Sequence, residues 1–203
     1  MPPLRYSRLL LHELTDKSSR CYFCRCRNSS LLVRLIYLVC APQARGVNNI
    51  NNSYITEEKL EEANRLIEQG NQQYDVGRVE EALESFQQAY ELYRDPAMQA
   101  DFPQQSRQGE GIALGDLGKS LYELAQYEEA IGFLEESLAI SREIDDRDEE
   151  GIALNNLGLA YADLGQYQEA ISFYQQSLVI TREIGDRRGE GIALNNLGLA
   201  HAD

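Results

Sequence analysis

The stretch Gly151-Ile-Ala-Leu-Asn-Asn-Leu-Gly-Leu-Ala160 occurs again without change at Gly191–Ala200. A looser copy, Gly-Ile-Ala-Leu-Gly-Asp-Leu-Gly, runs from Gly111 to Gly118. The starts 111, 151 and 191 are 40 residues apart. A fixed period of about 20–50 residues marks a repeat architecture in which each unit stacks on its neighbours. Such units build an extended surface, whereas catalysis draws on one non-repeating cluster of groups. The repeat therefore points toward binding.

Within the copy from Gly151, Leu154, Leu157, Gly158, Tyr161 and Leu164 fall on one face of an α-helix. Gly165-Gln166 breaks that helix. A second helix follows, with Tyr167, Ala170, Ile171, Tyr174, Leu178 and Thr181 toward the core. Gly185 suits a left-handed cap and Asp186 an N-cap. Asp146 and Glu149 have the spacing of a capping box. Gly118, Gly158 and Gly198 recur in the first helix, and Ala130 and Ala170 in the second. A glycine inside a helix costs about 0.5–1 kcal/mol relative to alanine, so its recurrence predicts a close helix crossing. A diverged earlier copy (Gly70, Tyr74, Gly77, Ala82, Phe86) matches Gly118, Tyr122, Ala125, Ala130 and Leu134 at an offset of 48. Eight residues are thus inserted near Asp95–Gln104, where Pro96 and Pro103 are expected to stop the preceding helix near Arg94. No segment carries a β-pattern.

Charge divides the chain. The formal total is −14. Residues 1–50 hold eight Lys/Arg and two Asp/Glu, a net of +6. Residues 51–203 hold the other eleven and thirty-one, a net of −20. An acidic body repels nucleic acid and anionic membranes and favours neutral or basic partners; it also keeps a helical surface soluble.

The four cysteines, Cys21, Cys24, Cys26 and Cys40, all lie in the basic leader. Cys21-Tyr-Phe-Cys24 is a C-x-x-C pair, but Cys26 follows too closely and no second pair completes a zinc motif. The cysteine-free body fits a reducing compartment, so a cytoplasmic location is expected. Export is the competing reading: Leu31–Ala41 is apolar, too short to span a bilayer, and interrupted by Arg34. Gly46–Ser53 reads as a linker. The expected division is residues 1–54 as a poorly ordered leader and 55–203 as the repeat domain. Its units run about 55–95, 104–145 and 146–185, with a partial unit 186–203.

Leu157-Gly158, Tyr161, Gly165, Tyr167, Ala170 and Tyr174 resemble the tetratricopeptide repeat. The resemblance covers about residues 56–203, and the 40-residue length is most similar to the extended repeats of kinesin light chains and bacterial signalling proteins. Departures are the missing proline after the second helix, replaced by Arg142 and Arg182, and Leu121 and Gln73 in the place of Tyr161. The resemblance implies an all-α, right-handed superhelical solenoid of antiparallel helix pairs whose first helices line a concave groove. In the family such positions bind extended or helical peptides.

The residues facing away from the core in the first helices are Ile152, Asn155, Asn156, Leu159 and Asp163, then Ile192, Asn195, Asn196 and Leu199, with Lys119 and Tyr122 in the earlier unit. These form the expected peptide groove. An asparagine amide both donates to and accepts from a peptide backbone; in the competing reading Asn155 and Asn196 pair with neighbouring repeats. Lys119 is the sole basic residue there, which argues against the basic clamp that grips chaperone tails in some relatives. A neutral-to-basic or amphipathic peptide is the expected partner.

No P-loop, G-x-S-x-G or H-E-x-x-H motif occurs, and the histidines are His12 and His201. No catalysis, cofactor or metal is expected. The function expected is a protein–protein interaction scaffold; the alternative is the sensor or regulatory segment of a larger signalling enzyme. Because Asp203 falls within a first helix, a longer gene product or self-stacking of the open end is also expected.

Overall fold

The computed structural model describes residues 54–201. Those residues form α1 (54–75), α2 (Val79–Tyr93), α3 (Pro96–Asp101), α4 (Pro103–Glu123), α5 (Tyr127–Glu143), α6 (Arg147–Asp163), α7 (Tyr167–Ile184) and α8 (Arg187–Ala200). No strand occurs among them. The architecture is an all-α solenoid of antiparallel helix pairs, each pair closed by a tight turn. The leader, its cysteines and Leu31–Ala41 lie outside the described residues.

Left-handed residues end the first helices. Gly77, Ala125 and Gly165 have φ of 77°, 56° and 75°. In each case the next N–H bonds back to a carbonyl five residues earlier: Arg78 to Gln73, Gln126 to Leu121 and Gln166 to Tyr161. This closure satisfies the orphan carbonyls of a helix end. Gly185 caps α7 in the same region at φ 77°, and the Asp186 carboxylate accepts from the N–H groups of Arg188 and Gly189.

Two local expectations change. Only half of the expected capping box forms: Asp146 Oδ1 accepts from Glu149 N at 3.2 Å. The N–H of Asp146 donates to Ser141 O instead, at 2.8 Å. The insertion is not a bare break either. Asp95 caps a short helix by accepting from Ala97 N and Met98 N, and Pro96 and Pro103 occupy the first turns of α3 and α4. Proline lacks only an N–H that the first turn leaves unbonded, so it starts these helices as well as stopping α2.

The recurrent glycines set the helix spacing within each pair. A Cβ on Gly70, Gly118 or Gly158 would lie 2.4, 2.6 or 2.4 Å from the side chain of Phe86, Leu134 or Tyr174. Around these crossings Ala82, Ala130 and Ala170 are fully buried. Ser137 and Ser177, 40 residues apart and buried, donate to Gly111 O and Gly151 O at 2.9 Å. On α8 the matching surface is open. Leu194 is 46% exposed where Leu114 and Leu154 are each 1% exposed.

Charged clasps join successive units. Glu150 is buried; Arg142 Nε of α5 donates to it at 2.8 Å, and Arg147 of α6 pairs with its other oxygen. Arg147 also reaches Glu183 of α7. The preceding unit repeats the device with Arg94, Arg107, Glu110 and Glu143, and the following one with Arg182, Arg187 and Glu190. The arginines that replace the usual proline thus fasten the next unit.

Candidate interaction face

The backbones of consecutive first helices approach closely, α4 to α6 and α6 to α8, whereas those of α5 and α7 stand further apart and meet through side chains such as Arg142 and Gln176. The stack therefore bends toward the first helices, whose free sides form the inner face. Their helical register carries the predicted residues onto it. Ile152, Ile192 and Leu199 are 52, 43 and 60% exposed. Asp163 and Asn195 are exposed, while Lys119, Tyr122, Asn155, Asn156, Leu159 and Asn196 are half-buried.

Tyrosines tie one first helix to the next. Tyr74 of α1 donates its hydroxyl to Glu123 Oε1 of α4 at 3.0 Å. Tyr122 of α4 donates to Asp163 Oδ2 of α6 at 2.5 Å. Burial and the hydrogen bond to Asp163 raise the Tyr122 phenol well above its ordinary range, so it stays a donor. Lys119 lies with Nζ 3.8 Å from the centre of the Tyr74 ring. That cation–π contact holds the one predicted basic residue against the wall of the face.

Between α6 and α8 the face opens into a cleft of about 260 Å³. Of the predicted residues, Tyr122, Leu159, Asp163, Asn196 and Leu199 line it, with Tyr174 beside them. Asn196 Nδ2 donates to Asn155 Oδ1 at 3.0 Å. Asn155 and Asn196 thus link neighbouring units, as in the competing reading, and the Asn155 Nδ2 donors are what that residue can offer a ligand. Ile152 and Ile192 lie outside the cleft, nearer the starts of their helices. Asn195 Nδ2 donates weakly to Asn196 Oδ1 at 3.4 Å.

One contributor is absent from the predicted set. Glu149 lies over the α4 backbone, its Oε1 3.1 Å from where a Gly115 Cβ would stand. Burial, then the charges of Asp116, Asp146 and Asp148, push its pKa up to about 7. Asp116 is pushed up to about 6 by burial, against the opposing pull of Lys119. The sequence signal was available: Gly115 stands where the later units have Asn155 and Asn195, so a side chain from α6 fills the gap. Among the described residues no cluster of three or more His, Cys, Asp or Glu could hold a metal ion. No described helix is long and apolar enough to cross a membrane. The face offers amides, apolar side chains and acidic groups.

Residues 109–183 and 149–203 match the tetratricopeptide repeat family. Residues 109–203 carry tetratricopeptide repeats. Solved structures share the repeat stack. A tetratricopeptide-like protein from Chlorobium tepidum superposes with a TM-score of 0.56 at 17% identity, over 71% of this chain and 97% of that one. Aspartyl phosphate phosphatase F from Bacillus subtilis gives 0.55 at 16% identity, over 76% of this chain and 46% of that one. BtubC (BKLC) from P. vanneervenii gives 0.50 at 20% identity, over 72% and 66%. At such identities the likeness concerns the fold alone. Comparison with curated protein sequences returned no match.

Proposed function

We propose that residues 55–203 form a protein-interaction module that binds a peptide segment of another protein along the inner face and carries out no chemistry itself. One observation carries this reading. Ile152, Leu159, Ile192 and Leu199 recur at 40-residue spacing on the free side of adjacent first helices, with Asn155 and Asn195 beside them. Apolar side chains that reach the surface in register, with Leu159 also packed against the Ala170–Tyr174 cluster, next to amides that can bond a peptide backbone, suit an extended ligand. The body's net charge of −20 over residues 51–203 (eleven minus thirty-one) and the acids Asp116, Glu123, Glu149 and Asp163 favour a neutral-to-basic or amphipathic segment. The ligand contacts are Lys119, Tyr122, Ile152, Asn155, Asn156, Leu159, Asp163, Ile192, Asn195, Asn196 and Leu199. The module acts in the cytoplasm.

Selection from a displayed peptide library, followed by affinity measurement, tests the reading. Leu159→Asp and Leu199→Asp should each weaken a selected peptide at least tenfold. Val179→Asp, at an exposed position of α7, should leave it unchanged. Equal losses at all three sites, or none at the inner two, would refute it.

A further inference from the structure

The joint between α5 and α7 contains a ring that the joint between α2 and α5 lacks. At the later joint Tyr161 reaches from α6 and stacks on Phe173, with centroids 5.2 Å apart and planes 16° apart. Burial, then the nearby charge of Glu135 on α5, raise the pKa of its phenol. The matching residues one unit earlier are Leu121 for Tyr161, Phe133 for Phe173 and Gln87 for Glu135. Leucine is shorter than tyrosine, and the place of the phenol is a cleft of about 360 Å³ with Leu83, Gln87, Leu117, Leu121 and Phe133 in its walls. That volume falls within the range of about 300–1,000 Å³ usual for ligand sites. Glu84 and Glu129, both exposed, flank its mouth. The walls at Leu83, Gln87 and Phe133 belong to the second helices, on the side away from the inner face.

We propose that this cleft is a second docking site, taking a tyrosine side chain from a lysine- or arginine-bearing segment of a partner protein. The guest ring stacks on Phe133, as Tyr161 does on Phe173, and its hydroxyl donates to the Gln87 side-chain oxygen. The flanking basic residues face Glu84 and Glu129. The later joint, closed by its own tyrosine, serves as the internal control.

The probe is the peptide Ac-Lys-Tyr-Lys-NH2, titrated into methyl-labelled protein by NMR. The Leu83, Leu117 and Leu121 methyl signals should shift saturably, with Kd on the order of 1 mM for so small a ligand. Ac-Lys-Phe-Lys-NH2, lacking the hydroxyl, should bind roughly fivefold more weakly. Ac-Lys-Ala-Lys-NH2 should give no saturable shift. Leu121→Tyr should fill the cleft from within, weakening the probe at least tenfold and raising the melting temperature. Phe133→Ala should weaken the probe at least fivefold, and that variant decides the matter if Leu121→Tyr fails to fold. Shifts equal for the tyrosine and alanine probes, no saturable shift, or undiminished affinity in a folded variant would overturn the proposal. A peptide held on the inner face should leave these signals in place, so failure here and failure of the groove reading are separable.

Discussion

Gly158 and Tyr174 are a matched pair: a Cβ on the glycine would lie 2.4 Å from Cε1 of the tyrosine ring. Tyr174 is 2% exposed, so the ring has little room to withdraw. Gly158→Ala should destabilise the fold by about 1–3 kcal/mol, the usual cost of overpacking. Gly198 has the same place in its unit but no atom within 4 Å of its Cβ position. Gly198→Ala should therefore stabilise α8 by about 0.5–1 kcal/mol. Urea unfolding followed by circular dichroism distinguishes the two signs.

Ala125 adopts φ 56° at the turn where the neighbouring units use Gly77 and Gly165. An L-residue with a Cβ is strained there, and glycine is not. Ala125→Gly should raise stability by about 0.5–1 kcal/mol. An unchanged or lower urea midpoint would count against the strain.

The clasp at Glu150 should be worth more than the outermost arginine. The Glu150 side chain is 7% exposed and pairs with Arg142 and Arg147. Glu150→Ala should cost about 1–2 kcal/mol, since it leaves two half-exposed guanidinium groups without their partner. Arg187 is 91% exposed in its pair with Glu190. Arg187→Ala should change stability by no more than about 0.5 kcal/mol. Thermal unfolding of both variants tests the ranking.

Glu149 gives the fold a pH dependence of defined sign. Burial raises its pKa from the ordinary 4.5 to about 7, so the folded state holds the proton more tightly than the unfolded chain. The penalty for ionising it is absent below the unfolded pKa, builds up between about pH 4.5 and 7, and is complete above that. Asp116, raised to about 6, adds to the same slope. Glu149→Gln should therefore gain about 1–3 kcal/mol relative to the unmodified chain at pH 8, and little or nothing at pH 4. A difference independent of pH would contradict this assignment.

The helices were legible because Leu154, Leu157 and Gly158 recur at helical spacing and Gly165 and Gly185 punctuate them. The inner-face register was equally legible, since a helical wheel fixes which side Ile152 and Leu159 occupy. Links between units were legible only in part, the pairing of Asn155 with Asn196 as a competing reading. The Asn196–Asn155 bond, the Tyr122–Asp163 bond and Glu149 lying over Gly115 depend on the lateral distance between helices 40 residues apart. The Arg–Glu clasps did leave a signal, because Arg107, Arg147 and Arg187 stand three before Glu110, Glu150 and Glu190 at the same period. The insertion was read through its prolines as a break. The capping carboxylate of Asp95 turns the same prolines into helix starts.

The most direct test of the account is site-specific photocrosslinking to a library-selected peptide. A benzophenone side chain replaces Leu199 on the inner face or, separately, Val179 on α7. The account predicts a crosslinked product from position 199, competed away by unlabelled peptide, and none from position 179. Capture at position 179 with none at 199 would contradict it.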